Sequence, residues 1–402
     1  MAGTSDSRLL PRVARRRTVA RGGLALIAVV SAGFAINAAV RLPCYDVCGV
    51  DIARLYEERG IDRAHPPYFE RDLEYPPVIG LEMYAVTFLY DGGLRLKFLL
   101  SALVLGGLAV LTTWALWQRF AKRTWRWALA PPLLLQGLTN WDLLSVAPAT
   151  IGLLQWDAGR AFSAGVLLGI GAAAKLVPGL YVPLLAVACI PTRMWKRAGA
   201  VLGGAVLGAG VFAIPVYALA PDALRHFVEF HRHRGPISST PWYYLFRNLR
   251  MEQWLAEERM VTIVNIASPI VCGLLFVLIT LATMRGRINP IAACALATIA
   301  FILTNKIYSP QYDLWLVPFF VMLPVRTKLV VHFYVASTLV WFLNATEGHL
   351  FGRPASLYVL AAGAAYRFVV ELFLARDFVR VGASPTTATS ARRQTPSATT
   401  AC

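Results

Sequence analysis

The stretch GVDIARLYEERGIDRAHPPYFERDLEYPP, Gly49 to Pro77, is dense in Asp, Glu and Arg, yet it follows directly on an apolar run, 22–40. Similar apolar runs recur along the 402 residues, which are 57% hydrophobic and only 15% charged. About 20 consecutive apolar residues cross the ~30 Å hydrocarbon layer of a membrane as an α-helix. The sequence therefore predicts an all-α polytopic membrane protein, in which this polar stretch lies outside the lipid.

The formal net charge of +17 has an arrangement typical of membrane proteins. Basic residues cluster in short segments between apolar runs, as membrane insertion and anionic lipid select for. No nucleic-acid-binding motif accompanies them, so membrane lipids are expected as partners and nucleic acid is not. The basic stretch RVARRRTVAR precedes the first run without a convincing cleavage site. We therefore interpret 22–40 as a retained helix and 1–21 as a basic cytoplasmic N-terminus.

The distribution of Lys and Arg predicts the topology. The segments assigned to the inside hold more than half of the 39 Lys and Arg residues. The transmembrane domain is expected over 22–375, with a disordered cytoplasmic tail over 376–402. About twelve membrane helices are predicted within it, at 22–40, 94–118, 126–139, 142–156, 161–175, 177–191, 198–220, 261–284, 289–304, 312–325, 328–344 and 354–375. The apolar stretch 76–90 is assigned to an interfacial helix on the outer surface, because a thirteenth crossing would place the basic loop 118–126 outside.

Two long loops, 41–93 and 221–260, fall on the outer side in this topology. They hold nearly all of the acids that lie outside the inner segments, which indicates chemistry at the outer face of the plasma membrane, toward the periplasm or exterior. Cys44 and Cys48 in the first loop are expected to form a disulfide in that oxidising compartment.

Asp51 is the first candidate for chemistry. On a helix, Asp51, Arg54, Leu55 and Glu58 share one face, just beyond the first span. A carboxylate held there suits a general base acting on a sugar hydroxyl. The alternative is a solvated acid in an acid-rich loop.

Glu74, in the motif EYPP, is the second candidate. The prolines that follow Tyr75 stiffen the chain and begin the interfacial helix. A carboxylate near a helix N-terminus is favoured electrostatically, so a structural role explains Glu74 as well as a substrate contact does.

Polar residues at the ends of short spans are further candidates. Asn140 and Asp142 lie in TNWDLL, and Lys175 lies in GAAAKLVPGLYVP at the junction of two short spans. An ionisable residue at membrane depth is expensive and is by default functional. The alternative for Lys175 is a side chain that reaches the outer headgroups.

Two more segments look suited to substrate. NKIYSPQYDLW, Asn305 to Trp315, is more polar and aromatic than a simple turn between helices requires, although an aromatic interfacial belt is the alternative. RHFVEFHRHRG, Arg225 to Gly235, combines Arg and His as an anionic phosphate requires, although a solvated amphipathic helix explains it equally. No Walker loop, GxGxxG, HExxH or CxxC motif is present, so nucleotide and zinc sites are not expected. Gly204 and Gly208 form a GxxxG motif that predicts close helix packing.

Taken in order, DIARLY, EYPP, AKLVPGLYVP and NKIYSPQYDLWLVP resemble the GT-C membrane glycosyltransferases, and among them the actinobacterial polyprenyl-phosphate-mannose-dependent mannosyltransferases of glycosyltransferase family 87. The resemblance covers roughly 20–375. It implies transfer of a sugar, most plausibly mannose, from a polyprenyl-phosphate donor to a lipid-linked or glycan acceptor. Some family members carry a His-containing motif where this chain has NKIYSPQY, which leaves the acceptor open.

By its order in the chain, Asp51 corresponds to the outer-loop Asp of that family and is assigned as the general base. The residues assigned to substrate binding are Tyr56, Glu74, Tyr75, Asn140, Asp142, Lys175, His231, His233, Asn305, Lys306, Tyr308, Gln311 and Tyr312. No tight acidic pair adjoins Asp51, so metal-independent transfer without a cofactor is favoured over use of a divalent metal. The rival interpretation is a lipid or solute transporter or flippase. Such proteins usually show two related halves, which this asymmetric arrangement of loops lacks.

Overall fold

The computed structural model describes residues 9–43, 50–248, 256–346 and 353–383, and side chains within 21–43, 50–246, 256–346 and 357–383. In these segments the chain forms α-helices and one 3-10 helix, and no β-strand. The α-helices are α1 (Leu9–Arg41), α2 (Asp51–Glu58), α3 (Pro77–Leu89), α4 (Leu94–Phe120), α5 (Trp125–Ala128), α6 (Pro131–Gln136), α7 (Leu143–Asp157), α8 (Ala161–Ala174), α9 (Val177–Val187), α10 (Trp195–Leu219), α11 (Pro221–His233), α12 (Pro241–Asn248), α13 (Glu257–Met284), α14 (Pro290–Thr304), α15 (Val317–Met322), α16 (Thr327–Ala345) and α17 (Arg353–Gly382). The 3-10 helix spans Pro310–Trp315, between α14 and α15. The prediction of an all-α fold is confirmed.

Long apolar helices identify a multi-pass membrane protein. In the described residues, six helical segments are long and apolar enough to cross a membrane: Arg21–Arg41, Leu94–Phe120, Trp195–Leu219, Glu257–Met284, Thr327–Ala345 and Leu357–Gly382. On α10, Val206, Val211 and Ile214 are all more than half exposed. Such a surface is stable against lipid and would be costly in water.

Twelve regular spans are not confirmed. The predicted span 126–139 divides into α5 and α6, and the predicted span 312–325 divides between the 3-10 helix and α15. Proline explains both divisions, because Pro131 and Pro318 stand in the first turns of α6 and α15, where a missing N–H costs nothing. Helices α8, α9 and α14 are also too short for a straight crossing. Short, broken helices are tolerated at membrane depth where they surround a cavity.

Helices α8 and α10 pack at very short distance through facing glycines. A methyl group on Gly204 would lie 2.3 Å from the Phe162 carbonyl oxygen, and one on Gly208 would lie 2.1 Å from the Val166 carbonyl oxygen. The predicted role of this GxxxG motif in helix packing is therefore confirmed.

The partner helix α8 presents glycines of its own. On Gly165 and Gly169, added methyl groups would lie 2.2 Å and 2.3 Å from carbonyl oxygens of α10. Both helices thus carry a GxxxG motif at the same interface.

The two long loops meet at one end of the helix bundle. His231 of the second loop contacts the Glu74 carbonyl oxygen of the first at 3.3 Å, and the Ile237 N–H donates to the Lys306 carbonyl at 3.1 Å. The opposite end holds the ion pair of Arg119 with Asp157, at 2.7 Å. Both loops therefore lie on the same side of the membrane.

The polar stretch that follows the first span is an ordered part of this end. Helix α2 buries Ile52, Ala53, Leu55 and Tyr56 on one face. Helix α3 corresponds to the predicted interfacial helix and has Pro77 as its first residue.

Tyr68 secures the entry to α3. Its hydroxyl donates to the carbonyl oxygens of Tyr75 and Pro76 at 3.0 and 2.9 Å. Its ring occupies the space that a side chain on Gly80 would need, since an added methyl group would lie 2.3 Å from a ring carbon. The rigid EYPP segment is thereby held in place above the helix bundle.

Candidate functional site

A cavity of about 760 Å³ lies where the two loops meet. Its walls come from both loops and from the junctions of the short helices. The predicted residues that line it are Asp51, Glu74, Tyr75, Asn140, Lys175, His231, His233, Asn305, Lys306, Gln311 and Tyr312. The fold thus brings together residues that are as much as 261 positions apart in the chain, Asp51 and Tyr312 being the extremes. A cavity of this volume is large enough for a small-molecule or lipid headgroup ligand.

Asp51 begins α2 and is held at the cavity wall from three sides. Its N–H donates to the Thr139 carbonyl at 2.9 Å. Its Oδ1 accepts from Arg54 at 2.9 Å, and its Oδ2 accepts from the Asn140 amide at 2.8 Å. The side chain remains 23% exposed. A carboxylate oxygen has two acceptor positions, so Asp51 keeps capacity to accept a further hydrogen bond from a hydroxyl in the cavity.

Asn140 connects Asp51 to Lys175. Because a carboxylate only accepts hydrogen bonds, the Asn140 nitrogen must face Asp51 and its oxygen must face the other way. That oxygen accepts from Lys175 Nζ at 3.0 Å, while the nitrogen also donates to the Tyr75 hydroxyl at 2.7 Å. One amide therefore fixes the positions of a carboxylate, an ammonium and a phenol.

Lys175 follows the last residue of α8 in extended conformation, where the helix breaks before α9. Its Nζ pairs with Asp142 Oδ1 at 2.9 Å, and the same oxygen accepts from Trp315 Nε1 at 2.8 Å. The ammonium also lies 5.6 Å from the ring centroid of Tyr312 and 5.7 Å from that of Tyr75. Lys175 thus reaches the cavity with its charge already balanced by Asp142 and stabilised by aromatic faces.

A second group of cations lies on the wall formed by the later segments. Lys306 Nζ donates to the His231 carbonyl at 2.6 Å and to Asn265 Oδ1. Burial, with the nearby charge of Arg234, lowers the pKa of Lys306 to about 8. Among the side chains that the structure describes, neither Lys306 nor Arg234 forms an ion pair with a carboxylate. Two neighbouring cations without an acid between them favour an anion in the cavity.

His231 belongs to the same wall. Burial lowers its pKa, with the charges of Arg234 and Lys306 adding to the effect and the contact with the Glu74 carbonyl opposing it. A neutral imidazole at neutral pH can accept or donate a hydrogen bond there.

Glu74 faces the cavity but is already occupied. Arg59 binds it with two hydrogen bonds, at 2.8 and 2.7 Å. Burial acts to raise the pKa of Glu74, but the hydrogen bonds and charge of Arg59 outweigh it, so this pKa is lowered. The geometry places Glu74 in the wall of the cavity as the ion-pair partner of Arg59, while its side chain does not cap α3. A contact with substrate stays a prediction for this residue.

Three residues assigned to substrate binding do not line the cavity, so this assignment needs correction. Asp142 is buried behind Lys175. Tyr56 points into the core beneath α2, where its hydroxyl lies 3.4 Å from Ser101 Oγ and its ring meets the edge of Trp141. Helical periodicity explains this, because Tyr56 lies on the opposite face of α2 from Asp51.

Tyr308 is the third predicted residue that does not line the cavity. Its hydroxyl bonds with Asp313 and Glu371, and the Arg367 guanidinium lies 3.5 Å from its ring centroid. All four side chains are buried. This cluster ties the segment after α14 to α17, underneath the cavity rather than in its wall.

Sequence reasoning left other lining residues unassigned. Polar ones are Arg54, Glu58, Arg59, Arg234 and Ser309, and aromatic ones are Phe227, Phe230, Phe301 and Trp315. Five of them stand in segments that the sequence already singles out: Phe227, Phe230, Arg234, Ser309 and Trp315. Arg54 and Glu58 share a helical face with Asp51. Arg59 and Phe301 carry no signal of their own.

The structure describes most residues that could bind a metal ion, but not the two cysteines of the expected disulfide. In the described part of the chain, no three residues among His, Cys, Asp and Glu come together as a metal site. Cys44 and Cys48 lie outside the described residues, as does the predicted tail from residue 384 onward. The first residues of that tail, 376–382, belong to α17 and are helical.

Comparison with solved structures gives weak similarities. The crystal structure of ArnT from Cupriavidus metallidurans bound to undecaprenyl phosphate is 16% identical, with a TM-score of 0.42, over 90% of this chain and 80% of ArnT. The apo structure of the same protein is 17% identical, with a TM-score of 0.43, over 88% and 76%. No curated protein matches the sequence.

The family comparison is more informative. The model of glycosyltransferase family 87 matches residues 73–310, which is more than half of the chain. The match includes Glu74, Asn140, Lys175 and Lys306, whereas Asp51 precedes it. The family match therefore favours an enzyme over the transporter that apolar helices alone would also allow. The chain belongs to glycosyltransferase family 87 and is a membrane glycosyltransferase.

Proposed function

We propose that this enzyme transfers mannose from a polyprenyl-phosphate donor to a hydroxyl of a lipid-linked or glycan acceptor, at the outer face of the plasma membrane. The observation that carries the proposal is the distribution of charge around the cavity. A carboxylate with free acceptor capacity, Asp51, lies on the wall from α2. Lys306 and Arg234 lie on the wall from the later segments. A reaction that deprotonates a hydroxyl and releases a phosphate needs both.

In this mechanism Asp51 takes the proton of the acceptor hydroxyl as its oxygen attacks the anomeric carbon. The bond from that carbon to the phosphate oxygen breaks, and polyprenyl phosphate leaves with the electron pair. Its additional negative charge is stabilised by Lys306 and Arg234, neither of which pairs with a carboxylate of the described residues. A single displacement inverts the anomeric configuration. No nucleotide is consumed, because the sugar arrives already activated by the phosphate.

Asn140 and Lys175 act on Asp51 in this proposal. The Asn140 amide holds one carboxylate oxygen at 2.8 Å and prevents the side chain from turning toward Lys175. Lys175 is itself neutralised by Asp142, so it orients Asn140 and leaves Arg54 as the cation in direct contact with Asp51.

The apolar part of the cavity wall suits the lipid portion of the donor. Phe227, Phe230 and Leu176 line it, and Leu176 is 60% exposed. An isoprenoid chain beside these side chains would keep its apolar surface away from water.

The proposal is tested with purified protein, polyprenyl-phosphate mannose and a panel of lipid and glycan acceptors, with products read by mass spectrometry. The expected product is an acceptor heavier by one hexose. The Asp51→Asn variant should bind the donor and form very little product. Absence of product from every donor and acceptor pair, with the donor recovered intact, would contradict the proposed reaction.

A further inference from the structure

A second cavity adjoins the first on the same end of the molecule. It has a volume of about 560 Å³ and lies between the polar stretch of the first loop and the start of α11. Glu58 and Arg59, at the end of α2, belong to the walls of both cavities. A ligand can therefore extend from Asp51 past Glu58 into the second cavity.

Charge separates the two cavities. The second has carboxylates of Glu58, Glu70, Asp72 and Asp222 in its wall, against the cations of Arg59 and Arg71. Arg59 is in turn paired with Glu74, and Glu58 is paired with Arg54, which leaves Glu70, Asp72 and Asp222 against Arg71. The resulting negative potential opposes a phosphate, and the first cavity with Lys306 and Arg234 favours one. The donor phosphate and the ligand of the second cavity are therefore different groups.

The side chains of the second cavity are those that recognise a neutral sugar. Carboxylates accept charge-assisted hydrogen bonds from hydroxyl groups, which are stronger than hydrogen bonds between neutral partners. Phe69 adds an aromatic side chain that is 50% exposed although it is large and apolar. Glu70 and Asp222 form no ion pair within the described residues and are open to such hydrogen bonds.

We infer that the second cavity binds the part of the acceptor that lies beyond the reacting sugar, and that this acceptor is a neutral glycan of at least two sugars. The inference rests on the proposed function, because it takes Asp51 as the point of transfer. Asp51 and Glu58 lie seven positions apart on α2, or about 10 Å along the helix axis. This distance exceeds one sugar ring, so a ligand that contacts both Asp51 and the second cavity contains more than one.

The test uses octyl glycosides that carry one, two or three mannose residues, with polyprenyl-phosphate mannose as donor. Wild-type enzyme should show a higher kcat/KM for the two longer acceptors. Phe69→Ala, which removes the aromatic contact, and the double variant Glu70→Gln/Asp222→Asn, which removes two carboxylates, should each lose about tenfold in kcat/KM for the trimannoside. Their kcat/KM for the monomannoside should change less than twofold. Glu57→Gln is the matched control, since Glu57 is an exposed acid on α2 that lines neither cavity.

Two results would overturn the inference: equal use of the three acceptors by wild-type enzyme, or equal losses on short and long acceptors in the variants. Binding separates this inference from the proposed reaction. Mannotriose should bind to the Asp51→Asn variant in saturation-transfer NMR, and adding Phe69→Ala should abolish the signal. Absence of binding rejects the second cavity as a glycan site whether or not transfer is seen, whereas binding without any transfer by wild-type enzyme rejects only the reaction.

Discussion

At the scale of the residue, each charged side chain of the site is distinguished by whether an opposite charge already holds it. Lys175 has Asp142 and Glu74 has Arg59, at 2.9 and 2.7 Å. Lys306 and Arg234 have no such partner in the described part of the chain. A charged side chain in a buried ion pair binds substrate poorly, because the substrate must compete with the partner that already holds it. Lys306 and Arg234 are therefore the better candidates for contact with phosphate.

Asp51→Asn should lower turnover by at least about 10²-fold, the usual scale for loss of a general base. The amide keeps the shape of the side chain, so donor binding should persist. Single-turnover transfer and donor binding are measured together, with Glu57→Gln as the control acid on the same helix. Turnover close to wild type in Asp51→Asn would assign the base to another residue.

The lowered pKa of Lys306 predicts that use of the donor depends on pH. Its ammonium loses the proton as pH rises through about 8, since burial and Arg234 lower its pKa. The charge that binds phosphate is therefore present below pH 8 and lost above it, and kcat/KM at low donor concentration should fall over that range. Lys306→Arg keeps its charge throughout, so the decline should disappear in this variant. An unchanged decline in Lys306→Arg would exclude Lys306 as its origin.

The pair of Lys175 and Asp142 predicts a defect in stability. Lys175→Ala leaves the Asp142 carboxylate buried without its cation, which costs about 3–5 kcal/mol in comparable buried pairs. The double change Lys175→Met/Asp142→Asn removes both charges and should recover most of the thermal stability, measured in detergent. A double variant as unstable as Lys175→Ala would show that the pair is not the cause.

At the scale of the element, proline and glycine decide how short helices surround the cavity. Prolines stand in the first turns of α6, the 3-10 helix and α15, and divide two predicted spans into short pieces. Glycines allow α8 to approach α10 so closely that carbonyl oxygens occupy the positions of side chains. Such close contact compensates in a membrane for the missing hydrophobic driving force between helices.

The α8–α10 interface gives a test with an internal control. Gly204→Ala and Gly208→Ala place methyl groups against backbone of α8, whereas a methyl group on Gly203 meets nothing within 4 Å. The first two variants should lose about 1–3 kcal/mol of stability through overpacking. Gly203→Ala should be neutral or slightly stabilising, because alanine favours helix. Thermal unfolding of the three variants in one detergent measures this, and equal stability would rule out the tight packing.

At the scale of the whole molecule, both long loops close over one cavity, so the site opens on a single side of the membrane. The contact between His231 and the Glu74 carbonyl joins the loops directly, and the Ile237 N–H binds the second loop to the Lys306 carbonyl in the segment after α14. The basic loop after α4 lies at the other end, near the ion pair of Arg119 with Asp157. The positive-inside rule then predicts that the site lies at the outer face.

This orientation can be measured by labelling. In a background without the native cysteines, a cysteine replacing the exposed Glu70 should react with an impermeant reagent in intact cells. A cysteine replacing the exposed Lys122 should react only after the membrane is opened. Labelling of the Lys122 position in intact cells would invert the topology and move the proposed reaction to the cytoplasmic side.

The sequence by itself determined the class of the protein and the segments of the site. Apolar runs, the placement of Lys and Arg, and the order of four short motifs predict a membrane glycosyltransferase. The segments that carry these motifs line the cavity with Asp51, Lys175 and Lys306. These signals are local, since each lies within one segment of the chain.

Only the tertiary structure decided which polar residues face the cavity and which support them. Asp142 is fixed by Trp315, 173 residues away, and Tyr308 by Glu371, 63 residues away. Pairing of this kind depends on how distant helices pack, and no pattern within one segment encodes it. The separation of a basic first cavity from an acidic second cavity has the same origin. Arg234 and Asp222 come from opposite ends of α11, and they act on ligands only where the first loop meets them.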